Sequence, residues 1–168
     1  MILSEDKSNA QQFRVDVVAI ITGGAAGPGR EAALGLTRWS WAIVVVYLEH
    51  QRTAEATVAE ILAAEGRVVS VRADLADELD VRRLFAESSA SFGGVDVLVH
   101  TTRGRASLLY QQAARHVRPS GAIISIPPAD SVSPRIACQL RERGISVGRA
   151  PPGEVLSFLD TWRQQAGG

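Results

Sequence analysis

Thr22-Gly23-Gly24-Ala25-Ala26-Gly27-Pro28-Gly29-Arg30 is the stretch on which the fold turns. It follows the apolar run Val15-Asp16-Val17-Val18-Ala19-Ile20-Ile21 and precedes Glu31-Ala32-Ala33-Leu34-Gly35-Leu36, an order that reads as strand, glycine turn and helix. Glycines at 23, 27 and 29 permit positive φ and let the backbone approach a ligand closely, while the first-turn amides of the helix direct donors at an anion. Pro28 suits a first-turn position, where its missing N–H costs nothing. The expected anion is a pyrophosphate. With the β-like run Ile43-Val44-Val45-Val46-Tyr47-Leu48 beyond, the pattern points to a dinucleotide site.

Outward from the turn, strands and helices alternate. The first strand is expected over 16–22 and the following helix over 28–39, with Ala33, Leu36 and Trp39 facing the sheet; Trp39 and Trp41 read as packing residues. The second strand is the 43–48 run, continuous enough to be buried on both faces. A helix over 52–64 places Ala54, Val58, Ile61 and Leu62 at helical spacing and stops at Gly66. A third strand at 68–71 leads into Arg72-Ala73-Asp74-Leu75, Asp77 caps a helix carrying Val81, Leu84, Phe85 and Ser88, and the fourth strand spans 95–100. Helices over 107–117, 134–143 and 154–164 alternate with strands over 122–126 and 145–147. This is the pattern of a Rossmann-type doubly wound α/β fold: a mostly parallel sheet of about six strands with helices on both faces. Residues 1–13 read as a loose tail and 14–168 as a single dinucleotide-binding domain.

Composition narrows the function classes. The 168 residues are 46% hydrophobic with a formal net charge of zero and no basic block, which argues against nucleic acid and anionic membranes as partners. No apolar run approaches the roughly 20 residues of a membrane span. The first residues are acidic where a signal peptide is basic, and Cys138 is the only cysteine, so a cytoplasmic setting without disulfide or metal site is expected.

These residues together resemble a short-chain dehydrogenase/reductase. The likeness rests on Thr-Gly-x-x-x-Gly-x-Gly at 22–29, on Ala73-Asp74-Leu75, on Phe92-Gly93-Gly94-Val95-Asp96-Val97-Leu98-Val99, and on Arg143-Gly144-Ile145-Ser146-Val147 with Pro151-Pro152-Gly153. It implies that Gly23, Gly27 and Gly29 face the cofactor pyrophosphate, that Asp74 and Leu75 border the adenine, and that His100 and Thr101 lie beside the nicotinamide-side ribose. The bland alternatives are a turn cap for Asp74 and a structural imidazole for His100. The family usually places an aspartate at the end of the second strand when it prefers NAD, and Tyr47 stands there; Arg30 or Arg52 could hold a 2′-phosphate. Against this, Glu49 lies close to the spacing, about 20 residues past the glycines, at which an acid contacts the ribose. The balance favours NADP over NAD slightly.

Departures from the family pattern bear on catalysis. Its members use a tyrosine, a lysine, a serine and an asparagine to deliver the proton. Here Lys7 is the only lysine, the only tyrosines are Tyr47 and Tyr110, and no Tyr-x-x-x-Lys occurs. Pro127-Pro128 replaces the serine pair, and His100-Thr101-Thr102-Arg103 replaces Asn-Asn-Ala-Gly. The family commonly runs to about 250 residues, and two blocks that carry this chemistry are missing. Substitute proton donors are His100, Tyr110, Ser125, Ser131 and Ser133, with a protonated His100 able to act near neutral pH. The expectations are therefore an atypical NAD(P)(H)-dependent oxidoreductase or a non-catalytic nucleotide-sensing or partner-subunit module. The helices over 107–117 and 134–143 correspond to the family's dimer interface, so a homodimer is expected.

Overall fold

The computed structural model describes residues 17–166. Six strands, β1 (Val18–Thr22), β2 (Ala42–Tyr47), β3 (Arg67–Arg72), β4 (Val95–His100), β5 (Val117–Ser125) and β6 (Ser146–Arg149), form one sheet in the order β3-β2-β1-β4-β5-β6. Every pairing is parallel. The helices between them are α1 (Gly27–Thr37), α2 (Gln51–Ala63), α3 (Glu78–Phe92), α4 (Ser107–His116), α5 (Pro134–Glu142) and α6 (Val155–Ala166).

Alternation within each strand divides the core in two. Val18, Ile20, Val44 and Leu98 meet α3, α4 and α5 on one face, where Leu84, Phe85, Leu109 and Leu140 are buried. Ala19, Ile21, Ile43, Val45 and Val99 meet α1, α2 and α6 on the other through Leu36, Ile61 and Leu159. All five residues of β1 are buried. That two-sided burial is why the strand reads as unbroken apolar sequence, and each large side chain so placed contributes about 2 kcal/mol.

Some elements differ from expectation. Leu62 is 55% exposed and Thr57 is buried in its stead, because the Thr57 hydroxyl donates to the carbonyls of Ala25 and Thr53 and so enters the core satisfied. Trp41 is buried, while Trp39 lies beyond the end of α1, packs edge-on against Trp41 and carries the guanidinium of Arg163 over its ring. Val117 belongs to β5, where it pairs with Val95 before the register shifts to Val97 with Ala122. The intervening turn is held by Arg118, which bonds to Asp96 and to the Gly93 carbonyl. The tail over 1–13 and the expected onset of the first strand at Asp16 lie outside the described residues.

This order puts the reversal of winding between β1 and β4. β2 and β3 lie to one side and β5 and β6 to the other, so a crevice opens beyond the carboxyl ends of the strands at that point.

Candidate cofactor site

The glycine turn assigns its three glycines different work. Gly23 has φ +64, and a Cβ there would overlap the Thr101 side chain. Thr101 closes against the turn by donating its amide to Thr22 Oγ1 at 3.0 Å and its hydroxyl to the Thr22 carbonyl at 2.7 Å. Gly29 is buried, and a Cβ there would overlap the Gly23 carbonyl. It lets α1 press on the turn and does not itself face the crevice, unlike the expectation for it. Gly27, at φ +56, has nothing within 4 Å of its missing Cβ. Of the three, only Gly27 leaves its backbone open to a ligand. Its neighbour Ala26 is the N-cap of α1 and supplies no side-chain cap, and the first turn holds Pro28 and no acid. The helix terminus therefore keeps its positive end for an anion.

Beside the turn lies a cleft of about 420 Å³, a usual size for a small-molecule site. Among the expected residues, Thr22, Gly23, Tyr47, Glu49, Asp74 and Leu75 line it. Val46, Leu48 and Ala73 supply apolar wall, and His50 and Thr53 come from the start of α2. Asp74 makes its local cap, accepting the Ala76 amide at 2.9 Å, and still borders the cleft. The two readings of Asp74 are compatible because a carboxylate has more than one acceptor position.

Gly27, Pro28, Gly29, Arg30, His100 and Thr101 do not line the cleft. Arg30 is engaged by Glu60 of α2, and Arg52 is likewise absent from the lining. Arg103 and Arg105, in the loop after β4, also line it and are not among the expected site residues. Their signal was position, since loops at the carboxyl ends of strands build the crevice of such a sheet.

The candidate proton donors occupy a different environment. His100 is 1% exposed; its Nδ1 shares a hydrogen bond with Thr22 Oγ1 at 2.8 Å, and its Nε2 is buried without a partner. Burial pushes its pKa down to about 4, against a smaller opposing effect of Asp130, so the imidazole is neutral at physiological pH. That corrects the expectation of a protonated His100 near neutrality. Tyr110 stands edge-on to His100 and donates its hydroxyl to the Asp130 carbonyl at 2.6 Å, and burial raises its pKa. Ser133 caps α5, and Ser125 is buried beside Arg149, which also donates to the Ala129 carbonyl. Ser131 borders a separate small cavity together with Tyr110 and Asp130. Among the described residues there is no cluster of three or more metal-ligating side chains, and no helix is long and apolar enough to cross a membrane.

Residues 17–117 match the sequence model described as short chain dehydrogenase. A 3-oxoacyl-[acyl-carrier-protein] reductase of Synechocystis sp. is 36% identical over 83 residues, which is 49% of this chain and 34% of that protein. The short chain dehydrogenase claC of Passalora fulva is 37% identical over 82 residues, 49% of this chain and 31% of that one. The matched stretch thus spans about a third of the curated relatives it resembles. Among solved structures, a dehydrogenase/reductase from Sinorhizobium meliloti 1021 superposes with a TM-score of 0.68 at 26% identity, covering 86% of this chain and 75% of that one. A Burkholderia cenocepacia short chain dehydrogenase in complex with NADP gives 0.69 at 24% identity, covering 83% and 74%, and shares the fold.

Proposed function

The chain belongs to the short chain dehydrogenase family, and on that premise we propose that its cleft takes NAD(P)(H). The observation that carries this reading is the uncapped start of α1 beside Gly27, where a missing side chain leaves room for a phosphate at the rim of the cleft. Gly23, Gly27, Pro28 and Gly29 shape the turn that receives the pyrophosphate, with Thr22 and Thr101 bracing it from beneath. Tyr47, Glu49, Asp74 and Leu75 border the adenosine half. A slight preference for NADP(H) follows from Tyr47, which puts no carboxylate beside the 2′ position; Arg30, committed to Glu60, adds nothing to it. When bound, the nicotinamide supplies or accepts a hydride. The chain's part is to hold and orient the dinucleotide within residues 14–168, acting as one domain.

The oxidoreductase activity expected of the family needs a proton donor, and the described residues present poor ones. No Tyr-x-x-x-Lys exists in the 168 residues, the Tyr110 hydroxyl is held by Asp130, and His100 is buried and neutral. Positioned acid catalysis contributes roughly 10² to 10⁴ in rate, so ordinary carbonyl reduction is weak or absent. The same observations favour the second reading, a nucleotide-sensing or partner-subunit module that retains the cofactor and forgoes turnover. A homodimer through α4 and α5 in the cytoplasm, without nucleic acid or membrane partners, completes the proposal.

Calorimetric titration of NADPH and NADH into wild type and Gly27→Val tests the binding. The variant loses at least about 1.4 kcal/mol, a factor of ten. Unchanged affinity in a folded variant sinks the cleft assignment. Following NADPH absorbance with ketones, aldehydes and quinones tests the chemistry, and turnover of about 1 per second or faster refutes the non-catalytic reading.

A further inference from the structure

We infer that the loop between β4 and α4 is an anion clamp, in which Arg103 and Arg105 hold the pyrophosphate of a nucleotide in the cleft that Ala26, the N-cap of α1, also lines. This rests on the reading of the cleft as a nucleotide site and extends it to a pair of side chains that the family pattern does not supply.

Both arginines line the cleft and both are exposed. Other arginines of the chain are already engaged: Arg30 with Glu60, Arg82 with Glu78, Arg118 with Asp96 and Arg163 with Asp160. Arg103 and Arg105 have no ion pair or hydrogen bond among the described residues. Their donors are free, and a planar guanidinium matches two phosphate oxygens at once. No lysine occurs in residues 17–166, so arginine is the only permanent cation available there. Gly104 between them, at φ +106, has nothing within 4 Å of its missing Cβ, so the backbone between the arginines is open to a ligand.

Charge across the cleft has a direction. Glu49 and Asp74 lie on the β2 and β3 side, Arg103 and Arg105 on the β4 side. A ligand that suits this division offers hydroxyl donors at one end and anionic oxygens at the other, as the ribose and pyrophosphate of a nucleotide do. On that division the arginines fit the pyrophosphate, which NADH, NADPH and ADP share.

The test is a set of titrations of the whole chain with adenosine, ADP, NADH and NADPH, using wild type and Arg103→Gln/Arg105→Gln. Arg38→Gln/Arg82→Gln, which removes the same charge from exposed positions after α1 and on α3 that do not line the cleft, is the control. Circular dichroism checks that each variant is folded. The clamp predicts that the cleft variant loses at least about tenfold in affinity for ADP, NADH and NADPH alike, that adenosine is unaffected, and that the control matches wild type. It also predicts that added NaCl weakens wild type more than the cleft variant. Unchanged affinities in the cleft variant overturn the clamp. Loss confined to NADPH overturns the pyrophosphate assignment, and an equal loss for adenosine shows the loop to be merely structural. Wild type that binds none of the phosphorylated ligands overturns the nucleotide reading itself, and the clamp with it.

Discussion

At the carboxyl ends of β1, β2 and β3, Tyr47, Glu49 and Asp74 border an open cleft, whereas at those of β4, β5 and β6, His100 and Ser125 are buried and Arg149 is bonded to its neighbours. Both regions belong to one parallel sheet, and both carry polar side chains where a doubly wound fold places its ligand. The difference is who satisfies those groups. On the β4 to β6 side the protein does so itself for all but His100 Nε2: Tyr110 donates its hydroxyl to a backbone carbonyl, and His100 shares its Nδ1 with Thr22. On the β1 to β3 side, and in the Arg103 loop beside it, donors and acceptors remain for something else. One sheet thus leaves polar groups open at one half and buries them at the other without changing its topology.

The strongest way to break this comparison is to collapse the open side from within. Gly29→Val forces a side chain into the Gly23 carbonyl and separates α1 from the turn; it costs about 3 kcal/mol of stability by urea denaturation. Gly27→Val, with open space ahead of it, costs about 1 kcal/mol from its left-handed backbone, and its main effect is on binding. Equal stabilities for the two variants show that Gly29 does not make the close approach described.

A second measurement addresses the closed side. The His100 imidazole has an ordinary pKa of 6.5 when unfolded and about 4 when folded, so between these values the unfolded chain binds more protons. The contribution of His100 is level above pH 6.5, declines as pH falls toward 4, and flattens below; the total is about 3 kcal/mol. His100→Asn removes that decline, read as the difference between variant and wild-type denaturation midpoints across the pH range. Parallel pH profiles place the imidazole in water and open the region that we describe as closed.

The smallest expected effect sharpens the open side. Tyr47→Asp sets a carboxylate beside the 2′ position and shifts preference toward NADH by about 1 kcal/mol, close to fivefold. Paired titrations of both cofactors measure it. A wild type that already favours NADH assigns the ribose to Glu49.

Much of this architecture is legible in sequence because its signals are local. Val81, Leu84, Phe85 and Ser88 recur at helical spacing and are all buried, Asp77 caps α3 through the Asp80 amide, and the 95–100 strand begins and ends where its pattern does. Leu62 misleads because periodicity counts apolar character and is blind to a hydroxyl that can satisfy itself, which is how Thr57 takes the inward position. Arg30 misleads in the same manner: its place at the turn is visible, its partner Glu60, thirty residues away, is not.

By itself the sequence determined the order of strands and helices, the glycine turn that opens α1, and the absence of any Tyr-x-x-x-Lys. Only the tertiary structure decided which polar groups stay available. His100 is bonded to Thr22 across 78 residues, Tyr110 to Asp130 across 20, while Arg103 and Arg105 are left facing the cleft. Element type follows from spacing and capping within a few turns of chain, which a sequence displays directly. Burial, hydrogen-bond satisfaction and the resulting pKa depend on groups brought together from distant strands, and no local pattern carries them.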